Sequence, residues 1–485
     1  MHAESRSGLG RLRRAELAAH VVSVLALAQA SSGIAATTWT VNSCSNDTTG
    51  VIVDTTGPLR YALLHAVDGD TIDMTGLHCG SIILDELGTT PGPLRTSAGT
   101  ITLLGPGRDN MTINADHFGR VFLNTSSSPS GLVLKDLTLS NGYGAPTYGG
   151  DLPGDGGCIY TGGSVTLERV TVTGCYTTGF GGAINAPTVT LDHSLVQLSS
   201  AAVDGGGIFA FTTTLQNSVV TSNEAAGNGG GIRSFNVSAY DSTISYNTAG
   251  TAASLAHGGG LFVRGDLTLY RSTIDHNHVV GSAGGVAAYN KTTPVLHTTT
   301  ISDSTISGNT ATDYMGGIYV NTGVAGFYNS TIAFNSAGLD SPGLASGVAT
   351  SAQYGSLDLS FHSTLISNNF SGSTPLDFSE VAKIGNSVFF TASNNFVGFP
   401  DANSASEWAY TGGCARLGPL RDNGGPTRTH ALLGKSPAID KGDNVDALPY
   451  DQRGPAYARD VNGFTDIGAY QVQAEEIFGA GFDDC

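Results

Sequence analysis

The chain has 485 residues, 67 of them glycine, with 13% charged, 40% hydrophobic and a net charge of -18. So few charges exclude a disordered chain, so much glycine excludes a helical bundle, and the acidity excludes a protein that grips nucleic acid through a basic face. What remains is an acidic, strand-rich fold whose many turns use glycine or asparagine at positive φ.

In chain order, residues 1–36 read as an export signal. Arg11, Arg13 and Arg14 precede a short apolar run from Ala18 to Ala30, and "SSGIAA" offers small residues for cleavage near Ala35 or Ala36. This reading is preferred to an amphipathic surface helix, and no later run is long and apolar enough for a transmembrane segment in the mature chain. Six cysteines without CxxC spacing fit an oxidising compartment. Residues 37–70 form an N-terminal segment that ends in "PLRYALLHAVDGD". Pro58 suits a first helical turn, and Leu59, Ala62, Leu63, Ala66 and Val67 share one helical face. The expectation is a capping helix that covers the open end of a sheet.

From residue 71 to 400 short strands repeat. Aligning on "STI" puts Val172, Val196, Val220, Ile244, Ile274, Ile306, Ile332 and Leu365 in one column, at steps of 24 to 33 residues. Three positions on stand Cys175, Ser199, Asn223, Asn247, Asn277, Asn309, Asn335 and Asn368. A glycine-led strand gives a second column, Ile159, Ile184, Ile208, Ile232, Leu261, Val286 and Ile318, and a third strand such as "TVTLD" lies between. No unit of this size buries an apolar face alone, whereas stacked units do. The expectation is an all-β protein, a right-handed parallel β-helix of about a dozen coils. The asparagines should turn a left-handed corner and bond along the axis. The glycine pair serves the opposite corner, and residues 143–157 form a loop thrown out from one corner. Cys158 begins a glycine-led strand and Cys175 takes the asparagine corner of the same coil, so the two should pair. Cys44 and Cys79 would tie the N-terminal segment to the first coils, and the pairing of Cys414 and Cys485 is left open.

The outward positions bear on function. Polysaccharide-cleaving β-helices work with carboxylates on one outer face. Beside the glycine-led column the outward residues are Tyr160, Asn185, Phe209, Arg233, Phe262, Ala287 and Tyr319, and then Gly162, Pro187, Phe211, Phe235, Arg264, Tyr289 and Asn321. Neither column holds an acid, so no catalytic residue, metal site or cofactor is assigned. Stacking gathers Phe209, Phe211, Arg233, Phe235, Phe262, Arg264, Tyr289 and Tyr319 into a patch that could bind a glycan or a surface protein. The alternative is that loops at 142–156 and 250–257 fold over it. His257 in "HGGG" mimics an esterase loop, but the glycines already belong to the repeat. Thr243, Thr273, Thr305, Thr331 and Thr364 make an outward ladder that β-propensity explains better than binding to ice or a crystalline surface. Asp422, Asp440, Asp443, Asp451, Arg453, Asp460 and Asp466 crowd the C-terminal region, where a hydrogen-bonded capping loop is preferred to a cation site.

Two families resemble this chain. The GG-aliphatic and xNxA alternation between Ile184 and Phe334 resembles polymorphic outer-membrane protein repeats. A longer stretch, about Thr56 to Gln471, is similar to the choice-of-anchor Q domain of bacterial right-handed β-helix proteins. It rests on "GPLRYALLHAVDGDTIDM", "LLGPGRDNMTINADHFGRVF" and "LGPLRDNGGPTRTHALLGKSPAIDKGD" followed by "DQRG" and "DIGAYQ". The resemblance implies a signature region and cap at 401–471 and a secreted or surface-displayed bacterial protein whose anchor varies between members. It implies no reaction. The tail 472–485, with "EEIFGAGFDDC", departs from standard anchors, although it resembles a short aromatic-glycine tail of some Gram-negative exported proteins. The function read from all of this is non-enzymatic adhesion or glycan and surface binding at the cell surface or in secretion. The alternative is a carbohydrate-active enzyme, a polysaccharide lyase or glycoside hydrolase with loop-borne carboxylates acting on an extended polysaccharide.

Overall fold

Each short strand alternates apolar and polar residues, and the apolar side can leave water only if the next coil covers its neighbours. The computed structural model describes residues 35–473, except 49–50, 85–91, 125–129, 146–153, 290–295, 322, 339–343, 353–354, 382–385, 403, 405 and 407. The segment read as an export signal, up to residue 34, and the tail from 474 lie outside the described residues. The chain from Thr38 onward forms one compact unit.

It is a right-handed parallel β-helix. One sheet stacks 13 strands among the described residues, and it carries the "STI" column in register, Val172 on Val196, Val220, Ile244, Ile274, Ile306 and Ile332. The glycine-led column runs parallel to it, Ile159 on Ile184, Ile208, Ile232, Leu261, Val286 and Ile318. Both columns are buried. In three consecutive coils the third strand is continuous with the glycine-led one, as in Ile184–Asp192, Ile208–Gln216 and Ile232–Tyr240. A two-residue strand follows the asparagine column, for example Glu224–Ala225, and builds a narrow extra sheet.

The last coil of the aligned column corrects the expected register. Ile332 pairs with Ile366, and Leu365 stands beside Thr331. The asparagine of this coil is therefore Asn369 and not Asn368, and Thr364 falls outside the threonine column. The backbone role also differs from expectation. The left-handed residue is the one before each asparagine, such as Ser222, Tyr246, His276 and Phe334, with Asn368 itself at φ 64°. That bend turns the next side chain inward, and the buried amides bond along the axis. Asn223 Nδ2 donates to Asn247 Oδ1 at 3.0 Å, and the chain continues through Asn277, Asn309 and Asn335 to Asn369. It ends on Asp377, which accepts from both the backbone and the amide of Asn369. Burial raises the Asp377 carboxyl to about 6 against the pull of these hydrogen bonds. A second ladder, unforeseen in the sequence, uses the serine of "STI": the backbone N–H of Ser218 donates to Ser242 Oγ, and Ser242 and Ser272 repeat this toward Ser272 and Ser304.

The glycine corner is a matter of space. Gly205 has φ +70°, and a Cβ on Gly206 would lie 2.2 Å from Gly230 O. Disulfides join Cys158 to Cys175, with Cα atoms 5.5 Å apart, and Cys44 to Cys79, at 6.3 Å. At the N-terminal end the helix Leu59–His65 buries Leu59, Ala62 and Leu63, with Ala66 at its C-cap. Pro58 is the N-cap, and Val67 is exposed, because the helix ends before the turn that would have brought it inward. The strand Thr38–Val41 pairs in parallel with Thr71–Asp73, so the sheet already begins within the N-terminal segment.

Most of the threonine column is covered, with only Thr243 left half-buried. Thr273, Thr305 and Thr331 are buried beneath the C-terminal region. Thr273 Oγ1 donates to Arg428 O, Thr305 Oγ1 donates to Gln452 Oε1 at 2.6 Å, and the Ala469 N–H donates to Thr331 Oγ1. Leu365 and Phe396 on the coils pack against Ala415, Leu432, Ala438, Ile467 and Tyr470. Arg459 reaches from this region to Asp303 in a buried ion pair. Arg453, paired with Asp451, lies between the rings of Tyr457 and Tyr470. Three of the acidic residues there serve the backbone: Asp466 accepts from the N–H groups of Asp440 and Val472, Asp451 from that of Gln471, and Asp422 from that of Gly424.

Candidate binding trench

The outward side of the glycine-led strands holds the predicted columns in the expected order. Tyr160 pairs with Asn185, Asn185 with Phe209, Phe209 with Arg233, and Arg233 with Phe262. Beyond Phe262 the column continues through Ala287 to Tyr319. What differs is the cover. Phe262 (6% exposed) and Tyr319 (9%) are buried with Ala283, Ala287, Met315 and Ala349, and Tyr289 is partly buried against them. The strands are short here, and the chain before and after them, including Tyr314, Met315 and Leu344, folds back over their outer side. Asn321, at the end of the second column, is also buried.

The other end of the patch is open. In the second column Gly162 and Pro187 are small where the next two coils carry Phe211 and Phe235. The step leaves a cavity of about 470 Å³ that reaches from Tyr160 to Arg264. Phe211 is 59% exposed. Its ring stacks on Phe235 at 4.8 Å, nearly parallel, which leaves its other face toward the coil of Pro187. A second cavity of about 240 Å³ continues past Asn228 and His257 to Tyr289, and Arg233 and Arg264 line both. The two form one trench along the stacking direction, with guanidinium groups at its middle.

Arg233 is held from two sides. Its guanidinium lies 4.6 Å from the centre of the Phe209 ring. Its Nε stands 3.1 Å from Asp204 Oδ2, misaligned for a hydrogen bond, so the contact is an ion pair only. Burial lowers the pKa of Arg233, Asp204 pulls it back up, and the charge of Arg264 lowers it further. The Arg264 side chain forms no hydrogen bond or ion pair with the described residues.

A third column contributes to the trench and was missed in the sequence: the residue just before each glycine pair. Phe180, Asp204, Asn228 and His257 occupy it, linked by the hydrogen bonds from Gly181, Gly205 and Gly229 to the next coil. Phe180 packs on Phe209 at 4.7 Å and His257 on Tyr289 at 5.5 Å. Its signal was present, since each member precedes a glycine pair. His297 reaches the edge of Phe235 from a later coil, with no marker in the repeat. The column also supplies a carboxylate, Asp204, which accepts from Asn228 N at 2.6 Å besides facing Arg233.

The fold and this trench define a right-handed parallel β-helix protein with an aromatic and arginine-lined outer groove. The family model described as "Right handed beta helix region" matches residues 120–301. No curated protein matches. Among solved structures, the crystal structure of pectate lyase Pel9A aligns at a TM-score of 0.44 and 14% identity, over 91% of this chain and 98% of the lyase. A likeness at this level carries no chemistry across.

Proposed function

We propose that the chain is a secreted or surface-displayed β-helix protein that binds glycan chains through the trench, without cleaving them. The observation that carries this reading is the open face of Phe211 above the small residues Gly162 and Pro187, beside Phe209, Phe235 and the two arginines. Aromatic faces in a groove are suited to the apolar faces of sugar rings. Export is supported by the signal-like N-terminus, by the disulfides and by the resemblance to choice-of-anchor Q domains, which also favours display on a bacterial surface. No described helix is long and apolar enough to cross a membrane.

A glycan array probed with the purified chain tests the binding. Retention of a class of oligosaccharides, lost in Phe211→Ser, is the expected result; an array without signal would overturn the reading. One observation favours the enzymatic alternative, namely the Asp204 carboxylate that backs Arg233 at the wall of the trench. A polysaccharide panel assayed for reducing ends and unsaturated products decides between the two. Product release that disappears in Asp204→Asn would make the protein a carbohydrate-active enzyme.

A further inference from the structure

We infer that the trench takes an acidic saccharide chain, with Arg264 and Arg233 meeting its anionic groups while Phe211 carries a sugar ring. This rests on the glycan-binding reading above and adds the class of glycan. The argument begins with charge. A chain with 40 acidic and 22 basic residues has two arginines on the walls of both cavities, and no aspartate or glutamate is among the described residues lining them. Asp204 lies behind Arg233 and offsets one of these charges, so the trench keeps a net positive charge.

Arg264 also breaks the pattern of the coils. At other stacked positions an arginine pairs with an aspartate on the preceding coil: Arg169 with Asp136 and Arg271 with Asp241, each through two short hydrogen bonds. Arg264 forms no such bond with the described residues, although it is half-buried between two cavities that a ligand would fill. A guanidinium in this setting presents its fork of donors to a carboxylate or sulfate.

The floor of the trench argues for a saccharide over an acidic peptide. Its strands are already paired on both sides, Ile208–Gln216 with the coil before and the coil after. A peptide therefore finds no free strand edge to extend. A sugar chain needs none. Neighbouring coils lie about 4.8 Å apart, similar to the repeat of an extended sugar chain, so a chain laid along the axis meets an equivalent position on each coil.

Titration calorimetry with the purified full chain tests this. The probes are an oligogalacturonate hexamer, its neutral methyl ester, a sulfated chondroitin hexasaccharide and hexaglutamate. The acidic saccharides should bind roughly tenfold or more tightly than the ester, and their affinity, not the ester's, should fall as salt is added. Preference for the carboxylated or for the sulfated chain supports the inference and identifies the anion. Arg264→Gln should weaken the acidic chain roughly ten- to a hundred-fold and the ester far less, with Arg264→Lys in between. Phe211→Ser should weaken both. Equal binding of acid and ester would overturn the anionic assignment and leave the glycan reading standing. Hexaglutamate binding as tightly as the uronate would replace the saccharide with a peptide. If no saccharide binds, the glycan reading falls and this inference falls with it. The salt dependence is read on the unaltered chain, so the test does not depend on the folding of any variant.

Discussion

Asn277→Ala isolates one rung of the amide ladder. Asn277 is buried, and its Oδ1 accepts from both the backbone N–H and the side-chain amide of Asn247, each at 3.0 Å. Its own amide donates to Ile244 O and to Asn309 Oδ1, each at 2.9 Å. Truncation leaves two donors of Asn247 without an acceptor in a place water cannot reach. At about 1–3 kcal/mol for each stranded group, the loss should be about 2–6 kcal/mol, with a small cavity term in addition. Asn277→Ser should cost about half as much, because a serine Oγ can accept the preceding N–H, as Ser199 does from Cys175 at 3.3 Å. Urea unfolding followed by far-UV circular dichroism gives the midpoints, with Glu224→Ala as an exposed reference expected to change by less than about 0.5 kcal/mol. Stacked coils can open one at a time, so hydrogen exchange at the Asn247 amide gives a local readout and should accelerate in Asn277→Ala. A midpoint equal to the reference, with exchange at Asn247 unchanged, would refute the reasoning and show that the ladder follows from the fold without stabilising it.

Three further outcomes are expected. Phe262→Ser should lower stability by about 3–4 kcal/mol because it empties a buried site, whereas Phe211→Ser should change it by less than about 1 kcal/mol; thermal unfolding of the two variants compares them, and equal losses would mean the trench is a closed seam. His430 is buried, with Nδ1–H donating to Gly418 O and Nε2 accepting from Ser307 Oγ, and burial lowers its pKa to about 4. The folded state therefore binds this proton less readily than the unfolded chain, so stability is full above about pH 6.5 and falls by up to about 3 kcal/mol as the pH drops toward 4; in His430→Gln the slope of unfolding midpoint against pH over that range should flatten. Gln452 bridges Thr305 and Thr273 of the coils to Thr427 of the C-terminal region, so Gln452→Ala should speed limited proteolysis within residues 414–473 and leave the coils resistant.

The inward columns were legible because they depend only on local alternation. A residue such as Ile244 or Ile208 faces inward in any stack with this period, since moving it by one position would place an apolar side chain in water. The asparagine ladder was legible for the same reason up to Asn335. The last coil of that column slipped by one because "STLISNN" carries two asparagines, and only pairing with the coil before selects Asn369. The trench was half legible. Phe211 and Phe235 were placed outward and are accessible, and Phe209 and Arg233 stand beside them as read, whereas Phe180 and His297 come from outside the two columns that were aligned.

By itself the sequence determined the period, the parallel stacking and which side chains leave the core, because these follow from strand geometry and the spacing of apolar residues. Whether an outward side chain meets water was decided only by the tertiary structure. Thr305 and Phe262 carry the same outward signal as Thr243 and Phe211, yet the first two are buried. Thr305 accommodates Gln452, 147 residues away, and Phe262 lies under Met315 and its neighbours. Covering an outer face takes a segment distant in the chain, and no local pattern records where that segment will settle.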